Sequence, residues 1–441
     1  MKVPSNPIRF SENAADIIRP GILPLQTSVD LDTLMDKIGD AKIVMLGEAS
    51  HGTHEYYTWR ARITQRLIRE KGFNFIAVEG DWPDSYKLNR YIKNYSGAGT
   101  SAFEVLHTFN RWPTWMWANW ETTALAEWLY DHNEHLPGNK KVGFYGLDIY
   151  SLWESMEAII HYLRQNDLAA LAVAEEAFEC FQPYRRDEGT GYAYASMVVP
   201  GPCTQEVVRL LSEIRRNSSL YNTDQENVFS TEQNAQITFN AEKYYRAMLQ
   251  GGSQTWNIRD EHMMETLEKL LHFHGRKSKA IVWAHNSHIG DARAPDMRSH
   301  EMHTIGELAR KKYGNENVFL VGFGSYQGSV IASRRWGEEP RYMAVPPAIE
   351  NSWEDILHHT EIQNGYVILE DFSKGILDSE IGHRAIGVVY KPEVEMHSNY
   401  VPSILPARYD AFVFFEHTKA LHALHILPDG HQMPETYPFG V

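Results

Sequence analysis

Cysteine is nearly missing from this chain: Cys180 and Cys203 are the only two among 441 residues, too few for a disulfide framework. Long apolar runs are missing as well. No stretch approaches the roughly 20 residues that span a bilayer, and Met1 to Phe10 has neither a charged n-region nor an apolar h-region. A cytoplasmic protein without a membrane partner is therefore expected. Positive charge is scarce too, the formal net charge being -15. Binding to a phosphate backbone draws on clustered Lys and Arg, so a nucleic-acid partner is not expected, and a neutral or cationic small-molecule substrate fits better. Several catalytic signatures are absent. There is no G-x-S-x-G elbow, no Walker A loop and no H-E-x-x-H, and the glycines of Gly322-Phe-Gly-Ser-Tyr-Gln-Gly328 miss the dinucleotide spacing. These absences leave serine-nucleophile hydrolysis and nucleotide chemistry without support.

What is present is an ordinary globular composition, 43% hydrophobic and 22% charged, on a chain long enough for a sizeable core. Four apolar, strand-like runs each end on ionisable side chains. KIVMLGEASHG stops on Glu48 and His51, FNFIAVEGD on Glu79, KVGFYGLD on Asp148, and KAIVWAHNSH on His285 and His288. In an open parallel sheet, ligands bind beyond the carboxyl ends of the strands, so these groups would share one crevice. After Gly52 an apolar stripe of Tyr57, Ala61, Ile63, Thr64 and Leu67 keeps helical spacing until Gly72, and a strand resumes at Phe73. From Ser151 to about Gly275 only helical periodicity is found. Later strands are expected at Ala280–Ala284, Val318–Gly324, Gly365–Leu369, Ala385–Tyr390 and Ala411–Glu416, some of them antiparallel at one edge. The expected fold is α/β: a mostly parallel central sheet flanked by helices in three layers. Residues 1–150 and 276–441 would form the core and carry the site, and 151–275 would be a helical insertion.

The candidate chemistry follows from the strand ends. In Glu48-Ala-Ser-His51-Gly, the flanking glycines permit a tight strand-to-helix turn with His51 facing the crevice. A histidine there can take a proton from water, and a carboxylate such as Glu48 or Glu79 would fix its tautomer. Taken alone, E-x-x-H is equally well a turn cap with a surface ion pair. His285-Asn-Ser-His288 offers two metal ligands, or two imidazoles for an oxyanion and a leaving group; one core histidine and one solvated histidine is the plainer reading. Arg60, on the helix after His51, could anchor an anion or carbonyl, though a lone Arg is more often a surface pair. Four tryptophans crowd Phe109 to Trp120. Trp115 and Trp117 could line a cleft for a large, partly apolar ligand, with core packing as the competing account. His300, His303, His417, His422 and His425 follow no strand end and are expected to be solvated.

At these residues the sequence resembles the erythromycin esterase family. The matching pieces are GEASHGTHEYY with Arg60 following, FIAVEGDWPD, FNRWPTWMWANWE, the Gly146 to Asp148 GLD, WNIRDEHM from Trp256 and WAHNSHI from Trp283. The resemblance implies an α/β protein with a helical insertion that opens a macrolide lactone by water attack, without a covalent acyl-enzyme. Carried over by motif, His51 would be the general base, with Glu48, Glu79, Arg60, His285 and His288 completing the site and Trp115, Trp117 and Asp148 as candidate substrate contacts. The same motifs occur in members named after succinoglycan biosynthesis, which leaves open another ester substrate or a non-catalytic binding role. No cofactor is expected. A divalent metal could sit at the Glu/His cluster but is not expected to be obligatory.

Overall fold

A computed structural model describes residues 7–187, 189–221, 224–294, 296–372, 375–426, 434 and 437–438. Among these residues eleven strands run in chain order: β1 Ile22–Pro24, β2 Ile43–Leu46, β3 Phe75–Val78, β4 Gly143–Gly146, β5 Ala280–Trp283, β6 Val318–Ala332, β7 Arg341–Val345, β8 Asn364–Ile368, β9 Ile381–Arg384, β10 Tyr400–Ser403 and β11 Ala411–Thr418. Nine form one mixed, mostly parallel sheet in the order β1-β8-β11-β6-β2-β5-β3-β4, with β7 paired to β6. β2 lies parallel to both β5 and β6, and β11 parallel to β6. Gly143 N–H to Asn74 C=O and Leu147 N–H to Val78 C=O keep one offset along β3 and β4, the signature of a parallel pair. β8 runs antiparallel to β11 and to β1, as expected for the later, closely spaced strands.

The β2–helix–β3 unit is present, its helix running from His54 to Lys71 and closing on Gly72 in the left-handed region (φ 70). β5 intervenes between β2 and β3 in the sheet. The chain therefore leaves β2 toward β3 on one side and leaves β5 toward β6 on the other. Two neighbouring strands whose connections depart in opposite directions open a crevice at their carboxyl ends. Here those strands are β2 and β5, and their ends carry Glu48, His51, His285 and His288. All four residues of each of these strands are buried, which explains the continuous apolar runs in the sequence. The expected strand at Ala385–Tyr390 is a correction. The strand falls at Ile381–Arg384, and the following residues make single bridges, Ile386 to Ser50 and Val389 to Ser333.

The chain divides into two compact units, one of Met1–Ala77, Leu88–Phe144 and His274–Val441, the other of Val78–Lys87 and Tyr145–Phe273. The second unit is helical beyond its strand ends: Leu152–Asn166, Leu168–Phe181, Thr190–Val198, Thr204–Asn217, Gln225–Ala247 and Gln254–Phe273. Its helices pair because each buries a stripe at three-to-four spacing. Ile159 and Leu163 meet Ala170, Ala177, Leu210 and Ile214 in one cluster, each buried large aliphatic contributing about 1.5–3 kcal/mol. Among the described residues no helix is long and apolar enough to cross a membrane.

The two cysteines, too few for a framework, make one bond, a pairing that their number alone does not reveal. Cys180, near the end of one helix, and Cys203, at the start of another, form a disulfide with Cα atoms 5.9 Å apart. Such a bond is rare in a reducing cytosol and does not support the expected location there. With the partners 23 positions apart in sequence, a chain-entropy account assigns the cross-link about 3 kcal/mol. Cys180→Ser is therefore expected to lower stability by about that amount, read from denaturant curves with and without reductant. Coincident curves for the untreated and reduced native chain would show that the bond contributes nothing.

Candidate active site

Glu48 and His51 lie on the turn that links β2 to the helix His54–Lys71. This turn is tied down at several points. Gly52 C=O accepts from Ile331 N–H (3.1 Å) and Leu421 N–H (3.0 Å), Ala49 C=O accepts from Ile386 N–H (2.7 Å), and Glu48 C=O accepts from Asn286 N–H (2.9 Å). A Cβ on Gly52 would stand 1.9 Å from Ile331 O and one on Gly47 2.1 Å from Asn286 Oδ1, so both positions need glycine for the close approach. The side chains then pair. His51 Nδ1 is 2.9 Å from Glu48 Oε1, and Arg60 Nη2 is 2.5 Å from Glu48 Oε2. The carboxylate that pairs with His51 is thus Glu48.

Arg60 is a buried residue with 0% exposure, not the surface pair that a lone Arg suggests. It is reached one helical stretch after Glu48, and its guanidinium lies 4.4 Å from the Tyr57 ring and 4.5 Å from the Trp283 ring. Cation–π contact with two rings and one ion pair offset its desolvation.

His285 caps the short helix Asn286–Ile289 and sits with its ring 4.9 Å from that of His51. Its Nδ1 accepts from Ser287 N–H (3.2 Å) and meets Ser287 Oγ at 2.7 Å. A ring nitrogen that accepts from a backbone N–H carries no proton, so the neutral His285 bears its proton on Nε2. His51 has the opposite arrangement. Its Nδ1 faces a carboxylate that can only accept, so Nδ1 carries the proton and Nε2 is the basic nitrogen. The strand ends β2 and β5 therefore bring together one imidazole disposed to accept a proton and one disposed to donate. His288 lies buried on the same short helix as His285.

Behind this pair stand residues the sequence reading did not single out. Asn286 Nδ2 donates to Phe323 C=O (2.6 Å) and its Oδ1 accepts Phe323 N–H (3.2 Å), which locks the His285 turn to β6. Buried His383 contacts Asn286 Nδ2 through Nε2 (3.2 Å) and Glu354 Oε1 through Nδ1 (2.7 Å). Asn286 sat inside a quoted motif; Glu354 and His383 come from distant stretches with no local signal.

Glu79 and Asp148 belong to the second unit, and both meet Arg259 of the helix Gln254–Phe273. Arg259 Nη2 is 2.6 Å from Glu79 Oε1 and 2.7 Å from Asp148 Oδ2, and its Nε is 3.0 Å from Asp148 Oδ1. Burial pulls the Asp148 carboxyl upward, but the Arg259 charge and hydrogen bonds outweigh it and hold the group below its ordinary value. Arg259 lay in the WNIRDEHM motif, but its two partners could not be read from spacing.

Trp115 is fully buried and Trp117 nearly so. Trp115 meets Trp112 edge to face at 5.7 Å, and Trp117 packs against Tyr57 (6.1 Å) and Phe144 (6.0 Å). Both make the contacts of core residues, and Trp117 supports the Tyr57 ring on which Arg60 rests. His422, expected to be solvated, is only partly exposed and bonds Glu121 Oε1 through Nδ1 at 2.7 Å. It is a correction: the segment after β11 folds back between two helix starts.

A family model described as erythromycin esterase matches residues 68–418, a span that includes Glu79, His285 and His288 and begins after Arg60. The chain is 22% identical over 391 residues to an erythromycin esterase type II of Escherichia coli, covering 83% of this chain and 90% of that one. A solved Bacillus cereus protein is similar with a TM-score of 0.76 at 22% identity, covering 95% and 99% of the two chains. A succinoglycan biosynthesis protein gives 0.74 at 20% identity over 93% and 98%. A mutant erythromycin esterase in its open conformation gives 0.66 at 14% identity over 89% and 95%.

The burial of Arg60 gives a direct test. Arg60→Met keeps much of the volume but leaves Glu48 without its cation, and breaking a buried pair on one side costs roughly 3–5 kcal/mol. Urea denaturation is expected to show a loss of that size. A loss under 1 kcal/mol would mean that Glu48 is compensated by other means.

Proposed function

Because this chain belongs to the erythromycin esterase family, we propose that it is a carboxylic ester hydrolase in which His51 activates water and no covalent acyl-enzyme forms. The reading rests above all on the opposed tautomers of the two adjacent imidazoles. His51 Nε2 takes a proton from water while Glu48, paired to Nδ1, stabilises the imidazolium that develops. The hydroxide so formed attacks the ester carbonyl. Charge then grows on the carbonyl oxygen, and the Nε2–H of His285 supplies a hydrogen bond aimed at that oxyanion. As the tetrahedral intermediate collapses, the His51 imidazolium returns its proton to the departing alkoxide. The products are a carboxylic acid and an alcohol, with His51 neutral again.

Arg60 acts at one remove. By holding Glu48 Oε2 it fixes which carboxylate oxygen faces His51. Glu79 and Asp148, shared by Arg259, are assigned to charge balance in their own unit rather than to proton transfer. Water activation in this scheme uses no metal at the Glu48–His51 pair. Among the described residues the pair is not part of any group of three or more metal-ligating side chains.

The substrate we infer is a macrolide lactone, a cyclic ester, on the strength of family membership. Incubation with erythromycin followed by mass spectrometry is expected to show the gain of one water, with simple aryl esters assayed in parallel. His51→Ala should lower turnover roughly 100- to 10,000-fold with an unchanged melting profile. Hydrolysis of simple esters without macrolide opening would keep the chemistry and reject the substrate. Near-normal turnover in His51→Ala would reject the chemistry.

A further inference from the structure

A group of metal-competent side chains converges from three separate stretches of the first unit. His54 opens the helix His54–Lys71, Glu121 is the second residue of the helix Trp120–Glu134, and His422 lies in the segment after β11. Their donor atoms all fall within 4.8 Å of one another, and no other group of three such residues occurs among the described residues. Glu121 Oε1 is the common centre, 2.6 Å from His54 Nδ1 and 2.7 Å from His422 Nδ1.

The backbone holds these three positions in place. His54 N–H donates to Lys419 C=O (2.8 Å), Trp120 N–H to His422 C=O (2.9 Å) and Leu424 N–H to Ala118 C=O (2.8 Å), and single bridges pair Thr53 with Ala420 and Asn119 with Ala423. The donors therefore need little reorganisation to take up an ion. Glu121 is 3% exposed and also lines a cavity of about 340 Å³ with Thr58, Arg62 and Trp128, and the partly exposed His422 opens the group to ions from solvent. Glu55, whose Oε2 accepts Lys419 N–H at 2.8 Å, adds a second negative charge that acts on both His54 and His422.

We propose that His54, Glu121 and His422 bind one divalent transition-metal ion of the zinc class through their two Nδ1 atoms and a carboxylate oxygen. Two imidazoles and a carboxylate are a donor set that zinc accepts with a fourth position left for water. In the ion-free state the carboxylate oxygen accepts from the imidazoles. On binding, each Nδ1 gives up its proton, by shift to Nε2 or release to solvent, and the hydrogen bonds are replaced by metal–ligand bonds. The ion would then cross-link the segment after β11 to both helix starts, three residues from His51. The site is separate from the Glu48–His51 pair and stands whether or not that pair hydrolyses esters.

The test uses the full chain. After stripping with a strong chelator, incubation with excess zinc and desalting, elemental analysis is expected to find one equivalent retained. Cobalt(II) in its place should give the visible absorption of a four-coordinate nitrogen and oxygen site. Glu121→Gln and His422→Ala should each weaken zinc at least ~100-fold in competition with a chelating indicator, since even losing a residue behind a ligand costs 10- to 100-fold. His51→Ala should keep the full equivalent. Circular dichroism and melting of the zinc-free variants establish that they fold; His422 is partly exposed, so its variant serves if Glu121→Gln does not. Failure of the native chain to retain zinc, retention by folded Glu121→Gln or His422→Ala, or loss in His51→Ala would overturn the assignment.

Discussion

The ion pair between Arg60 and Glu48 is the constraint on which the rest of the candidate site depends. Both groups are withdrawn from water, and two buried charges are tolerated only when each is matched in geometry and neighbourhood. The matching comes from three elements at once. The turn after β2 supplies the carboxylate, the following helix supplies the guanidinium and Tyr57, and the last residue of β5 supplies Trp283. Trp283 is itself held by the hydrogen bond from its Nε1 to Thr64 Oγ1 at 3.0 Å. Once the carboxylate is fixed, the imidazole beside it has one tautomer and one orientation, and the neighbouring strand end presents the complementary one.

The second unit solves a similar electrostatic problem differently. There a single guanidinium is divided between two carboxylates, and the Arg259 charge is strengthened well above its ordinary basicity because the attraction of Asp148 and Glu79 exceeds the penalty of burial. One arginine per carboxylate leaves a neutral pair, to which a proton on His51 would add a single positive charge beside Glu48. One arginine between two carboxylates leaves a surplus negative charge. The two clusters therefore differ in net charge, and in the second the shared guanidinium holds together strand ends that would otherwise repel.

Much of this was legible in the sequence wherever the signal was local. The buried runs of β2 and β5, the glycines on either side of Glu48 and His51, and the helical stripe ending at Gly72 all follow from periodicity and turn chemistry over a few residues. The helical stretch after Ser151 was visible for the same reason. What escaped was non-local. Arg60 was named for the site, but nothing in its spacing reveals that it is buried with Tyr57 and Trp283 enclosing it. Glu354 and His383 reach Asn286 from distant stretches of the chain, and the two cysteines meet only because two helix ends do. β7 went unread because four of its five residues are not buried, so its sequence carries no inward face. The tryptophan segment was ambiguous for a physical reason: a ring that fills a core and a ring that walls a cleft are the same residue until its neighbours are known.

The turn that carries His51 is closed by the far end of the chain. Leu421 donates to Gly52, and Lys419 N–H reaches Glu55 from 364 positions away. Synthesis proceeds from the amino terminus and domains tend to fold as they emerge, so β2 and its helix are made long before the segment that fastens them. A nascent chain therefore holds the His51 imidazole on an unfastened turn until residues 419–421 have been made. A chain cut before residue 419 would keep Glu48, His51 and His285 but lose the backbone bonds from Lys419 and Leu421 that fasten their turn.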